Sequence, residues 1–280
     1  MQKNQAIQRN GITEGVIWQQ LLLFFFPILF GTFFQQLYNT ADAMIVGKFV
    51  GKEALSAVGG TTGTLINLLV GFFVGLSSGA AVVVSQYYGA GQENQVRKAV
   101  HTSFYLSICG GIFLMLIGEV FTPAAIDMMG VPEEIRAYSI SYMRIYFLGI
   151  IGNMLYNMGA AILRAVGDSK RPLYFLIACC LTNIALDLLF VIVLKMEVAG
   201  VAWATIISQL VSAVLVMVTL MRSKESFRFE LRYLRMDRLM LAKIIKIGLP
   251  AGIQSMMYSI SNILIQANIN SFGTDVIAAW

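Results

Sequence analysis

Two carboxylates, Asp42 and Asp187, fall inside stretches of sequence otherwise apolar enough to cross a bilayer. An ionisable group held in hydrocarbon costs at least a few kcal/mol, so such residues are candidates for carrying protons, ions or substrate. Asn183 precedes Asp187 by four residues and shares its helix face. With a rise of about 1.5 Å per residue, Asp42 sits about 27 Å and Asp187 about 22 Å from the inner boundary, both in the outer half of the membrane. Thr205, on the following descending segment, lies about 10 Å below the outer boundary. Four oxygen-bearing side chains from three helices can therefore meet at similar depth. Carboxylate, amide and hydroxyl oxygens together suit either a proton or a hard cation such as sodium, and the residues alone do not choose between them. The competing reading is that Asp187 and Asn183 only bond neighbouring helices.

The elements that must hold these groups follow from composition. With 58% hydrophobic and 12% charged residues in 280, the chain has more apolar surface than a soluble domain of this length buries. Long apolar runs bounded by charges or turn residues predict seven spans, at about 17–46, 54–86, 98–121, 136–163, 172–194, 198–221 and 246–270. Runs of this length exclude the short alternating strands of an outer-membrane barrel. The predicted fold is an all-α integral membrane bundle.

The distribution of Lys and Arg sets the expected orientation. With the N-terminus inside, Lys3, Arg9, Arg97, Lys98, Arg164, Lys170, Arg171 and the eight basic residues from Arg222 to Lys246 all fall on the inner side, which is fifteen of 20. A multi-pass cell-membrane protein with a cytoplasmic N-terminus is expected. Residues 1–20 lack the pattern of a cleavable signal, so the first span is expected to stay. The basic, aromatic-interleaved stretch after Arg222 is expected to lie on the anionic inner leaflet, and nucleic acid is not an expected partner.

The seventh segment repeats the first. Pro27 lines up with Pro250, Asn39 with Asn262, and Gly51–Ala57 with Gly273–Ala279. Repeats of six helices are a usual construction of secondary transporters. The expected division is a six-helix lobe at 1–221, a basic cytoplasmic connection at 222–245 and the start of a second lobe at 246–280, as though the chain were the first part of a twelve-helix protein.

Other residues carry weaker signals. Gln35, Tyr38, Asn39, Asn153 and Asn157 are polar positions that could line a substrate cavity. Pro27 removes a backbone hydrogen bond from the first helix and could act as a static bend or a hinge. Gly71, Gly75 and Gly79 leave a smooth face for close helix packing. His101 reads as a headgroup-facing residue, and Cys109, Cys179 and Cys180 as small apolar groups. No enzyme motif is present: Gly89-Ala90-Gly91 lacks the lysine of a phosphate loop, and no His-Glu-x-x-His pair occurs.

Several ordered motifs then carry a resemblance: Gln35-Gln36-Leu37-Tyr38-Asn39-Thr40-Ala41-Asp42 with Val46-Gly47, Gly89-Ala90-Gly91-Gln92, Leu163 to Pro172 including Gly167-Asp168-Ser169-Lys170-Arg171, and Asn183 to Asp187 followed by Gly200 to Thr205. Through them the chain resembles the N-terminal half of a multidrug and toxic compound extrusion (MATE) transporter of the DinF-like branch. The resemblance implies a 6+6 architecture, here the six-helix N-lobe plus the first helix of the second lobe. It also implies a cation-coupled multidrug efflux antiporter, with no cofactor beyond the coupling H+ or Na+, whose substrates are cationic amphipathic drugs and whose C-terminal lobe lies beyond this sequence. Asp42, Asn183, Asp187 and Thr205 match the family's cation site, and Pro27 matches a proline associated with bending of the first helix. Two other functions compete: export of a lipid-linked saccharide or precursor by a related bundle, and a non-transporting membrane partner subunit.

Overall fold

The computed structural model describes residues 16–279; Lys3 and Arg9, and the side chains at 275, 278 and 279, lie outside the described residues. Seven helices long and apolar enough to cross a membrane run through them: α1 Ile17–Phe49, α2 Lys52–Gly89, α3 Glu93–Met128, α4 Glu133–Ala165, α5 Lys170–Val193, α6 Glu197–Arg222 and α7 Arg238–Asn270. A short α8, Thr274–Ala279, follows. The architecture is all-helical.

Most helices overrun their predicted ends, α3 at both, because hydropathy reports only the length that needs hydrocarbon while backbone bonding continues into the interfaces. The largest correction is α7. It starts at Arg238, not 246, because Asp237 caps it by accepting hydrogen bonds from the amides of Leu239 (3.0 Å) and Met240 (3.1 Å). Residues 238–245, expected as connection, are helical.

The helices pack in a chain of neighbours: α1 on α5, α5 on α6, α6 on α4, α4 on α3 and α2, and α2 on α7. Close approach of α2 and α7 requires small residues. A Cβ at Gly75 would stand 2.7 Å from the backbone carbonyl carbon of Ala251, and a Cβ at Gly71 2.7 Å from Ser255 Oγ. The glycine face thus serves packing, as expected.

Two corrections concern the end of the bundle near the α6–α7 connection. His101 is buried rather than headgroup-facing: its Nδ1 lies 2.7 Å from Arg97 O and its Nε2 3.1 Å from the backbone of Glu230. The connection also does not simply lie on the lipid surface. Phe227 and Phe229 are buried in the same apolar cluster as Phe104, Val216 and Leu220, because their rings gain more from that cluster than from an interface.

The internal repeat has a backbone counterpart. Gly51 and Gly273 both take positive φ, 129° and 90°, which glycine adopts without a Cβ penalty. After each, a short helical stretch begins, and the two stretches meet where Ser56 Oγ donates to Thr274 O (2.9 Å).

Candidate functional site

Asp42 enters from α1, Asn183 and Asp187 from α5, and Thr205 from α6; all four are buried, Asn183 and Asp187 completely. The α1–α5 contact that brings the first two helices together is close at Gly31, where a Cβ would stand 3.2 Å from Leu176. Asp187, Asn183 and Thr205 are near enough to Asp42 to interact with its carboxylate. Thr205 Oγ1 is spoken for by Val201 O at 2.9 Å. The others are not: Asp42 Oδ1, both carboxylate oxygens of Asp187 and both amide atoms of Asn183 are buried with no hydrogen-bond partner of normal geometry. An unpaired buried polar atom costs about 1–3 kcal/mol, so five in one place call for an occupant.

The backbone contributes too. α5 changes from α- to π-helical pitch directly after Asp187, over Leu188–Val193. Such turns displace side chains and carbonyls from the regular ladder and recur at functional sites.

The structure adds residues that sequence reasoning missed. Tyr142 and Tyr146, on one face of α4, are buried against this region; Tyr142 reaches Thr205, and Tyr146 reaches Gln209. Ser208, Gln209 and Ser212 continue a buried polar stripe down α6 from Thr205. Their spacing of three and four residues was the available signal. Of the weaker set, Tyr38 joins the cluster, with Tyr146, Cys179, Asp42 and Tyr142 as its electrostatic neighbours. Asn153 and Asn157 sit further along α4, half-buried and bonded to each other (Asn157 Nδ2 to Asn153 Oδ1, 2.8 Å). Gln35 and Asn39 are exposed on α1, where Asn39 donates to Gln36 Oε1 at 3.3 Å. Pro27 lies inside α1, half-buried, without interrupting the helix.

No group of three His, Cys, Asp or Glu side chains that could hold a metal occurs among the described residues. What the four residues offer is a buried, oxygen-rich set with two carboxyl groups, an amide and a hydroxyl.

Seven long apolar helices around this buried acidic pair are the framework of a multi-pass membrane protein. The family described as MatE matches residues 27–189, more than half of the chain, and the chain belongs to that family. It is 32% identical over 271 residues to the probable multidrug resistance protein YoeA of Bacillus subtilis (strain 168), covering 94% of this chain and 58% of that protein. Among solved structures, it resembles an inward-facing multidrug resistance MATE family transporter of the MOP superfamily (TM-score 0.80, 26% identity, 88% of this chain and 56% of that one). It also resembles an outward-facing one (TM-score 0.84, 25% identity, 91% and 56%). The chain therefore spans less than two thirds of the length of each of these proteins.

Proposed function

We propose that this chain forms the N-terminal lobe, with the first helix of the second, of a cation-coupled multidrug efflux antiporter of the MATE family. One observation carries the reading: five unpaired polar atoms on Asp42, Asn183 and Asp187, gathered where α1, α5 and α6 meet. Binding of a proton or sodium ion would relieve that cost, and a ligand that relieves it in one arrangement of helices more than in another shifts the equilibrium between them. The solved relatives described as inward- and outward-facing support two such arrangements in this fold. Tyr38, Tyr142 and Thr205 flank the acids and orient whatever binds. Pro27, one long helix segment away from Asp42, lets α1 bend without breaking more than the bond it already lacks.

Drug, small and cationic, would enter the cleft between lobes as the ion leaves, with Gln35, Asn39, Asn153 and Asn157 as weaker contacts. The experiment is efflux of a fluorescent cationic dye from cells carrying the full-length gene, across a range of external pH and sodium. Asp42→Asn and Asp187→Asn should each abolish ion-dependent efflux. Efflux that continues unchanged in both variants would remove the basis of the proposal.

A further inference from the structure

The Leu163–Pro172 motif is not used by the ion cluster, yet it lines a cavity of about 620 Å³ at the end of the bundle where α5 begins. Three segments form its walls: Gln20, Leu23 and Phe24 of α1, Val166–Arg171 between α4 and α5, and Arg222–Phe227 after α6. Four cations border it, Lys170, Arg171, Arg222 and Lys224, against two acids, Asp168 and Glu225. Arg171 is engaged by Asp168 at 3.2 Å. Lys170, Arg222 and Lys224 form no ion pair among the described residues.

Ser169 lines the same cavity. It stands at the N-cap of α5 but makes no capping bond, because Asp168 Oδ1 takes the amide of Arg171 (3.1 Å) instead. Ser169 is only 5% exposed, borders the cavity, and its hydroxyl has no hydrogen-bond partner among the described residues. A hydroxyl without a protein partner on an otherwise buried serine, the positive end of a long helix and three unpaired cations converge on one volume. Each favours a tetrahedral oxyanion.

The apolar wall decides the source. Leu23 and Phe24 continue into the exposed face of α1, where Leu22, Phe25 and Phe26 are turned outward. An occupant with a phosphate head and an acyl tail satisfies both walls; a free phosphate satisfies only one.

We propose that this cavity is a resident site for the phosphate headgroup of an anionic phospholipid, with Ser169, Lys170 and Arg222 as headgroup ligands and Leu23 and Phe24 flanking the acyl chain. The site ties α1 to the start of α5 and the end of α6, the same three helices that hold the ion cluster.

Native mass spectrometry of the purified protein, expressed from its full gene, tests this with phosphatidylglycerol, phosphatidylcholine and inorganic phosphate as probes. Phosphatidylglycerol should be retained in preference to phosphatidylcholine. Lys170→Gln and Arg222→Gln should each weaken its retention about fivefold, the effect of one cation near an anionic headgroup. Lys195→Gln, at the opposite end of α5, should leave it unchanged. Ser169→Ala, which removes no charge and leaves Asp168 in place as the cap, should lower the preference as well and serves if the charge variants fail to fold. Equal retention of both lipids, or a preference unmoved by these variants, overturns the site. Binding of inorganic phosphate that displaces phosphatidylglycerol at millimolar concentration would assign the cavity to free phosphate and overturn the lipid reading.

Discussion

Asp187 concentrates the conflict between stability and use. Both of its oxygens are buried without partners, while the buried polar groups where α2 meets α7 are paired: Thr61 Oγ1 donates to Asn270 Oδ1 (3.0 Å), and Asn270 Nδ2 donates to Met129 O (2.8 Å). The chain can satisfy buried polar groups and does not do so at Asp187. Asp187→Asn keeps the shape and removes the charge, so it should raise the thermal midpoint of the solubilised protein, by about 2–4 °C for each kcal/mol regained, while eliminating coupled efflux. Combining it with Asp42→Asn should give less than the sum of the two shifts, since the groups share one site. A thermal scan of the singles and the double checks both statements. These acids were legible in the sequence because charge inside an apolar run is conspicuous. Tyr142, Tyr146 and Gln209 were not, because aromatic and amide residues occur in membrane helices for many reasons and only the fold shows which ones are buried together beside Thr205. His101 was misread for a related reason: a histidine near a span's end suits a headgroup, and nothing local announces that Phe229 and Glu230 will cover it.

Helices carry the next set of consequences. At the α2–α7 contact, Gly75→Ala would force its Cβ into the backbone of Ala251 and Gly252. Overpacking of this kind costs about 1–3 kcal/mol, and backbone cannot rotate out of the way as a side chain can. The expected result is a lower denaturation midpoint with Gly59→Ala, where nothing lies within 4 Å of the added carbon, as the control. Pro27→Ala restores a backbone hydrogen bond within α1 and should stabilise the helix while slowing efflux, if bending is part of the cycle; equal efflux rates would make Pro27 a static feature. The cap of α7 gives a pH dependence. The Met240 amide, with Lys98 3.5 Å away and the Leu239 amide, holds the Asp237 carboxyl below its ordinary range. A carboxyl depressed in the folded state stabilises fully above its unfolded pKa of about 3.9 and loses that contribution as pH falls through the lower folded value. Asp237→Ala should therefore cost about 1 kcal/mol near neutral pH, with parent and variant converging in acid; a difference that persists there would locate the effect elsewhere. Spans of this kind were readable because twenty apolar residues in a row have few alternatives. Their ends were not, since an N-cap such as Asp237 operates outside the hydrocarbon, and the π turn after Asp187 leaves no mark on hydropathy.

Across the molecule, the repeat and the charge pattern bear on how the protein sits and moves. Gly51 and Gly273 adopt the same sign of φ at matching places, and Pro27 and Pro250 each lie within a long helix, so the weak sequence alignment reports a true parallel in backbone. Such parallels are hard to read in advance because only a few positions constrain φ, whereas the apolar residues between them interchange freely. Orientation rests on charge alone. The connection from Arg222 to Asp237 and the cavity around Ser169 lie at the end of the bundle shared by Arg97, Lys98 and Arg171, and Lys195 lies at the other end, between α5 and α6. If basic loops stay inside, that first end faces the cytoplasm and the anionic leaflet, and the Ser169 cavity is placed where anionic headgroups are available. Single cysteines at 195 and 224, in a background with Cys109, Cys179 and Cys180 replaced by alanine, separate the two orientations. A membrane-impermeant maleimide added to intact cells should label position 195 and spare position 224 until the membrane is opened. The reverse pattern would turn the bundle over, put the Asp42–Asp187 cluster nearer the inner face, and remove the supply of anionic lipid from the cavity, so one labelling experiment constrains both the depth of the two acids and the proposed lipid site.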